Sequence, residues 1–320
     1  MLFRSAPLRN LVCTLLAFLG LPGCGSGARS LNQELRLEPD PSAGGIEVAW
    51  LGTAGLYVTD GETAILVDPF VSRHDAFRVG FGHPLPVATG DIRRMLRDLG
   101  TPVPSAILVG HSHYDHSMDA PGFAMETGAV LVGSESTANV GRGAGLPEDR
   151  IRVIRNADTL QFGTFRVTFF ESVHGRALFG KVTYPGEIRE PVVPPAPVSA
   201  YRAGLVFGIR IEHPVGTLIQ TGSAGYLPGQ WDAVTADVAL LCIAGRSNSA
   251  DLIRNLAIAT GAREVIPIHF DDLFGEVRDP PDFLIGVDFA EFVRTVRENW
   301  PGLRIRTLPV GKRVRVQPVG

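Results

Sequence analysis

The sequence predicts an α/β protein built in layers, and two observations carry this reading. Short apolar segments with strand character outnumber helical ones and alternate with them along most of the chain. One of them, Ala106-Ile107-Leu108-Val109, is apolar at every position, as expected of a strand covered on both faces. With 320 residues, 45% of them hydrophobic, the chain can bury the large core that such layering needs. Its 20% charged residues and net charge of -3 give no basic face for nucleic acid and no signature of disorder.

The N-terminus stands outside that core. Arg4 and Arg9 precede an apolar run over 11–19, too short to span a bilayer as a helix and suited to a signal-peptide core. Leu21-Pro22-Gly23-Cys24 follows and resembles a bacterial lipobox, with Pro22 an unusual residue for its position. Residues 1–23 are expected to be a lipoprotein-type signal peptide, with Cys24 lipidated and anchored in the cell-envelope membrane. A plain secretory signal cleaved nearby is the alternative. Gly25 after the cysteine, in place of Asp, points to the periplasmic side of an outer membrane where the host has two membranes. Of three cysteines, Cys13 leaves with the signal and Cys24 carries lipid, so Cys242 has no disulfide partner in the mature chain. Residues 24–45, rich in Gly, Ser and Pro, are expected to be a tether, and 46–320 a single domain.

Strands are expected at 46–51, 55–58 and 63–67, the last ending at Asp68-Pro69. A Gly/Pro-containing loop over 70–90 carries His74 and His83. A helix follows at 91–99 with Asp91 as cap, then the strand 106–109. A helix near 118–126 and a strand at 129–132 come next, and a second sheet is expected to start near Ile151. A strand over 165–170 leads to His174. The proline-rich stretch 184–199 reads as a long irregular loop, either a lid, a membrane-facing flap or a solvated insertion. Strands near 203–212, 216–221 and 238–243, a helix at 250–260, a strand over 264–268 ending at His269, a helix near 287–298 and two short strands complete the chain.

The chemistry concentrates in Gly110-His111-Ser112-His113-Tyr114-Asp115-His116. Residues two apart on an extended segment point the same way, so His111 and His113 can grip one ion together. Asp115 and His116 lie where the chain turns towards a helix and can grip a second. Imidazole and carboxylate suit zinc, manganese or iron. A polar surface turn that happens to be rich in His is the bland alternative; the density of ligand-type residues directly after a buried strand argues against it.

This run is similar to the His-x-His-x-Asp-His signature of the metallo-β-lactamase superfamily, and the order of the other motifs over about 46–272 resembles it too. The resemblance implies a four-layer αβ/βα sandwich, two sheets face to face with helices outside and the site at one edge. It implies His174 as third ligand of the first ion, His269 as last ligand of the second, and Asp68 supporting the metal loop from behind. Trp50-Leu51-Gly52-Thr53-Ala54 and Asp68-Pro69-Phe70 look like the branch that holds N-acyl phosphatidylethanolamine phospholipase D and the ascorbate-phosphate lactonases. Ser223 departs from the pattern: it stands where the family places an Asp that bridges the two ions, and a neutral hydroxyl is a poor bridge.

The implied activity is a metal-dependent hydrolase with one or two zinc ions (manganese or iron in their place), which lower the pKa of a water and polarise the scissile oxygen. That water attacks an ester, lactone or phosphodiester of a small-molecule or lipid-like substrate, with Asp115 as the catalytic residue that helps orient it. The phospholipase-like motifs favour a phosphodiester. Tyr114, Arg246, Tyr226, His83 and His74 are candidates for substrate contact, each with packing or solvation as the alternative. Cys242 and His213 are expected to be structural. A reading from another class, a non-catalytic metal- or ligand-binding lipoprotein on the same fold, is kept open by Ser223.

Overall fold

The computed structural model describes residues 25–39, 45–176 and 180–316. The expected signal peptide and the Cys24 anchor lie outside the described residues. Helix α1 (Gly25–Leu35) precedes β1 (Ile46–Gly52), β2 (Gly55–Thr59) and β3 (Ala64–Val67). Then come α2 (Ala76–Gly80), α3 (Thr89–Leu99), β4 (Pro104–Leu108), α4 (Tyr114–Ser117), α5 (Ala120–Thr127), β5 (Val130–Gly133), α6 (Glu135–Gly143) and β6 (Ile151–Val153). The second half supplies β7 (Thr159–Phe162), β8 (Phe165–Ser172), β9 (Val206–His213), β10 (Gly216–Thr221), β11 (Val238–Cys242) and α7 (Ser249–Ile253). After β12 (Glu264–Ile268) follow α8 (Phe289–Asn299), β13 (Arg304–Ile305) and β14 (Arg313–Val316).

These strands form two seven-stranded sheets, ordered β14-β1-β2-β3-β4-β5-β6 and β13-β12-β11-β10-β9-β8-β7. The period-two geometry of β1 shows why its sequence is apolar throughout. Val48 and Trp50 pack in a cluster with Phe169, Phe207 and Ile209 of the second sheet. Ala49 and Leu51 point the other way, into a cluster with Ile92 of α3 and Phe123 of α5. Leu252 of α7 and Phe292 and Val296 of α8 pack on the second sheet. Helix, sheet, sheet and helix make the four-layer αβ/βα sandwich.

Strand directions gather the site at one edge. β3 and β4 are parallel, and so are β10, β11 and β12. β8 is antiparallel to β9 and β9 to β10, so β8 ends on the same side as β10. The C-terminal ends of β3, β4, β8, β10 and β12 therefore deliver Asp68, His111, His174, Ser223 and His269 to one rim. The two sheets touch there: Phe207 donates its N–H to the Gly110 carbonyl at 2.7 Å. A Cβ on Gly110 would stand 2.9 Å from the Gly222 Cα, so neither glycine has room for a side chain.

Several expectations are corrected. The stretch expected to be a tether contains α1, which buries Asn32 and Leu35. Thr307 ties it down, donating through its hydroxyl to the Asn32 carbonyl at 2.9 Å and through its N–H to the Leu35 carbonyl at 3.0 Å. Residues 25–39 thus belong to the folded domain instead of a tether; Gly and Ser hid a helix whose stability comes from docking rather than propensity. Ile151 opens β6, which pairs with β5 at the margin of the first sheet, and the second sheet starts at β7. α3 starts at Thr89, and Asp91 sits in its first turn, paired with Arg94 at 2.5 Å, instead of capping it. The helix expected near 118–126 is present as α5, with the separate short turn α4 preceding it on the metal loop. The proline-rich stretch is irregular but not a solvated insertion: Ile188, Val192, Ala196, Val198 and Tyr201 pack against Phe70, Leu85, Tyr114 and Met118. It is a packed strap beside the metal loop.

Gly110→Ala is expected to destabilise the protein by about 1–3 kcal/mol, because a methyl group there must push the two sheets apart. Urea unfolding with parallel metal titration checks this; unchanged stability and unchanged metal affinity would contradict the close contact.

Candidate metal centre

The metal loop begins where β4 runs out, and Asp68 fixes its start. The Asp68 side chain is fully buried and its backbone is in the left-handed region, φ 43. Its Oδ1 accepts the Gly110 N–H at 2.7 Å; its Oδ2 accepts from Gln220 Nε2 at 3.1 Å and faces His116 Nδ1 at 3.1 Å. One carboxylate therefore joins the end of β3, the metal loop and β10.

Three imidazoles form a first donor set. His111 Nε2 lies 3.0 Å from His113 Nδ1, and His113 Nδ1 lies 3.1 Å from His174 Nε2. The opposite nitrogen of each ring meets a backbone carbonyl: His111 Nδ1 at Gly222 (2.9 Å), His113 Nε2 at Thr183 (2.8 Å) and His174 Nδ1 at Gly175 (2.6 Å). A carbonyl accepts, so those nitrogens carry the protons and the converging ones present lone pairs. Burial, then the neighbouring imidazoles, hold His111 well below the ordinary histidine range, and burial lowers His113 as well. Burial followed by His113 brings His174 down to about 4. All three are neutral at pH 7.

Asp115, His116 and His269 form the second set. Asp115 Oδ2 is 3.2 Å from His269 Nε2 and 3.7 Å from His116 Nε2. Burial alone would raise the Asp115 pKa, but His116 and His269 overcome it and hold the carboxyl well below the usual carboxylate range. Burial opposes charge on His116, yet Asp68 and Asp115 raise it above the ordinary imidazole value. The two sets adjoin, with the His111 and His116 ring centroids 3.9 Å apart.

His269 reaches its place through strained backbone. Its φ is 58, and that of Thr53 is 51. The Thr53 carbonyl accepts the His269 N–H at 2.8 Å and the Trp50 Nε1–H at 2.9 Å, while the Thr53 N–H donates to Asp271 Oδ1 at 2.7 Å. Asp271 Oδ2 in turn pairs with Arg73 at 3.0 Å, both side chains only 6% exposed. Gly52, at φ 88, lies against this pair, and a Cβ there would run into the Arg73 guanidinium.

Each set suits a divalent cation by its own chemistry. Within each, the candidate ligand atoms lie within 4.8 Å of one another. Nitrogen ligands about 2.0–2.1 Å from a tetrahedral ion stand about 3.3–3.4 Å apart, close to the spacing of the three imidazoles. Buried lone pairs facing each other without a proton repel, and a cation between them removes the conflict. His269 Nδ1 also has no hydrogen-bond partner among the described residues.

The family model described as "Metallo-beta-lactamase superfamily" matches residues 49–220. The chain belongs to the metallo-β-lactamase superfamily. It is a metal-dependent hydrolase of that superfamily. A UPF0173 metal-dependent hydrolase of Anaeromyxobacter sp. (strain K) is 30% identical over 247 residues, covering 73% of this chain and 77% of that one. A UPF0173 metal-dependent hydrolase of Pyrobaculum islandicum is 26% identical over 258 residues, covering 78% and 95%. Igni18, a metallo hydrolase from Ignicoccus hospitalis, superposes with a TM-score of 0.54 at 15% identity, over 84% of this chain and 97% of its own. The isothiocyanate hydrolase from Delia radicum gut bacteria gives 0.54 at 14%, over 85% and 99%. At that identity these two structures speak for the fold alone.

At Ser223, where the resemblance leads one to expect a bridging Asp, the Oγ accepts the Gly175 N–H at 3.0 Å. It pins the backbone next to His174. Asp271 is engaged by Arg73 and Thr53, and Asp272 Oδ1 accepts the Phe274 N–H at 3.0 Å, so neither adjacent carboxylate takes up a bridging place. Tyr114 is buried edge-on to Phe70 at 5.5 Å, its hydroxyl unpartnered among the described residues and its pKa pushed well up by burial. Arg246 is not available to an anionic substrate: its nitrogens are taken by Ser249, the Ile243 and Asp288 carbonyls and Glu291. Tyr226 is half-buried against the core, next to the charges of Asp251 and Arg254. His83 is exposed with its ring 6.5 Å from Phe81, and His74 meets the Pro86 carbonyl at 2.9 Å; neither joins the ligands. Cys242 is buried with its thiol pKa well raised, and His213 faces Asp60 at 3.4 Å, both structural as expected.

Sequence reasoning missed Gln220 and Arg73, met Thr53 only as part of the Trp50–Ala54 run, and met Asp271 only as a possible substitute bridge. Gln220 had a signal, a lone amide inside the apolar strand Leu218-Ile219-Gln220-Thr221. Arg73 had none, since its partners Asp271 and Asp272 are distant in sequence.

The metal-free protein should lose stability on acidification. His174 binds its proton near 6.5 when unfolded and at about 4 when folded, and His111 and His113 shift in the same direction. The unfolded chain then binds more protons, so stability is intact above pH 6.5 and falls as pH drops from there to about 4. His116, shifted upwards, offsets part of this. Urea midpoints of the apo protein across that range check it, and a flat profile would contradict the neutral-imidazole assignment.

Proposed function

We propose that this hydrolase cleaves an ester, lactone or phosphodiester bond of a small-molecule or lipid-like substrate, with zinc as the resident ion and manganese or iron as alternatives. The observation that carries the reading is the pair of adjoining donor sets, one wholly neutral and one containing an ionised carboxylate. A divalent cation in the first set supplies Lewis-acid polarisation of the scissile oxygen and a lowered pKa for the attacking water. His111, His113 and His174 keep their donor nitrogens free of protons at neutral pH, each fixed by its carbonyl partner. Asp115, ionised and buried, offers an acceptor that orients the water. The packed strap 184–201 borders the loop and limits solvent on that side. We further propose that the chain is exported and acylated at Cys24, which places the site beside lipids.

Metal-replete protein is expected to bind zinc and to turn over at least one of three chromogenic probes, an aryl ester, a lactone or a bis-aryl phosphodiester. His113→Ala should lower metal content and reduce turnover by about a hundredfold or more, the scale of losing a directing group. A metal-free preparation under replete conditions, unaffected by the mutation, would sink the reading; metal without turnover would favour the non-catalytic binding protein.

Ser223 supplies a further test. A carboxylate between two dications offsets their repulsion and a hydroxyl does not. Wild type should hold closer to one ion than two, the imidazole set filling first, and Ser223→Asp should tighten the second ion. Calorimetric titration decides; two tight ions in wild type with no gain in the variant would refute it.

A further inference from the structure

We propose that the rim carrying the metal centre is also a bilayer-docking surface, with Phe77 and Phe81 as the side chains that enter the lipid interface. The proposal rests on the envelope-anchored reading above for where the bilayer comes from, and on three features of the fold for how it is met.

The first is the aromatic pair itself. Phe77 and Phe81 are 68% and 50% exposed, their rings nearly parallel at 10° and 6.3 Å apart. They are held on a fixed platform: Val79 between them is buried, Asp75 caps the turn by accepting the Arg78 N–H at 2.9 Å, and Leu85 donates its N–H to Ala196 of the strap at 2.9 Å. An exposed apolar pair on such a support is a mark of an interaction surface.

The second is its place. Val79, between the two phenylalanines, packs in one cluster with Tyr114 of the metal loop and Leu273 just past His269, so the aromatic pair stands on a platform beside the metal loop.

The third commits the surface to a bilayer in preference to a soluble partner. The N-terminal helix leads back to the same rim: Arg29 pairs with Asp282 at 2.6 Å, the Asp282 carbonyl accepts the Asp272 N–H at 2.8 Å, and the Asp272 carbonyl accepts from Arg73 at 3.1 Å. Gly25 lies about 6 Å along the helix axis from Arg29, at about 1.5 Å per residue. Cys24, the candidate acylation site, is the residue directly before that docked helix, so in sequence the candidate anchor adjoins the fold. An anchor tied so closely at this rim turns the metal centre and the phenylalanines towards the membrane together.

The test uses the exported chain acylated at Cys24, in which the remaining Cys242 is buried. A fluorophore is placed through Phe81→Cys, and in a second protein through Val215→Cys. Val215 is 48% exposed in the β9–β10 turn, at the far end of β10 from Ser223. The probe surface is vesicles of phosphatidylethanolamine and phosphatidylglycerol with a nitroxide-bearing lipid. Quenching at position 81 is expected to exceed that at 215 by about threefold or more. Equal quenching at both positions overturns the proposal. So does a label at 81 that becomes protected as protein concentration rises without lipid, which would make the surface a contact between copies of the chain. Because the readout is position in the bilayer, a chain that turns over no substrate still answers it.

Discussion

The carboxylate of Asp68 is the contact on which the rest of the centre depends. Its two oxygens meet the metal loop at Gly110, β10 at Gln220 and a ligand ring at His116, so it sets loop start, sheet spacing and ring orientation at once. A buried carboxylate is costly without such partners, and with them it becomes a rigid acceptor in a low-dielectric place. The glycine pair Gly110 and Gly222 lets the sheets approach closely enough for this. With the sheets apart, His111 would lose the Gly222 carbonyl that fixes its tautomer.

Backbone strain collects around the same point. Asp68, Thr53 and His269 all have positive φ without being glycine. Each such conformation costs on the order of 1–3 kcal/mol and persists only where the surroundings dictate it. Here the dictating contacts are the Asp68 bonds on one side and the Trp50–Thr53–Asp271–Arg73 chain on the other. The second chain explains why the tryptophan-led turn after β1 belongs to the centre although it contributes no ligand.

The electrostatics of the two donor sets differ for a physical reason. The first is built of rings that burial keeps neutral; the second holds an anion that neighbouring imidazoles keep ionised. Ser223 spends its acceptor on the Gly175 N–H and adds no charge between them. The asymmetry is therefore a property of the protein itself.

The candidate ligand sets were legible in the sequence because metal binding needs particular atoms in a tight local pattern. His111, His113, Asp115 and His116 lie within one loop, and His174 and His269 each close a readable strand. The layered architecture was legible too, since strands buried on both faces must be apolar throughout. The register and closure of the sheets were not, because β14 joins the first sheet through β1 at the other end of the chain, and only pairing with β5 assigns β6 to the first sheet instead of the second. Neither was α1, whose weak local propensity is overcome by docking on Thr307. Arg246 looked available as a lone basic residue, and only tertiary structure surrounds it with Glu291 and two carbonyls. The sequence determined which atoms could bind an ion; the fold decided how they are held, because burial, strain and the partners of Asp68 and Asp271 arise only when distant segments meet.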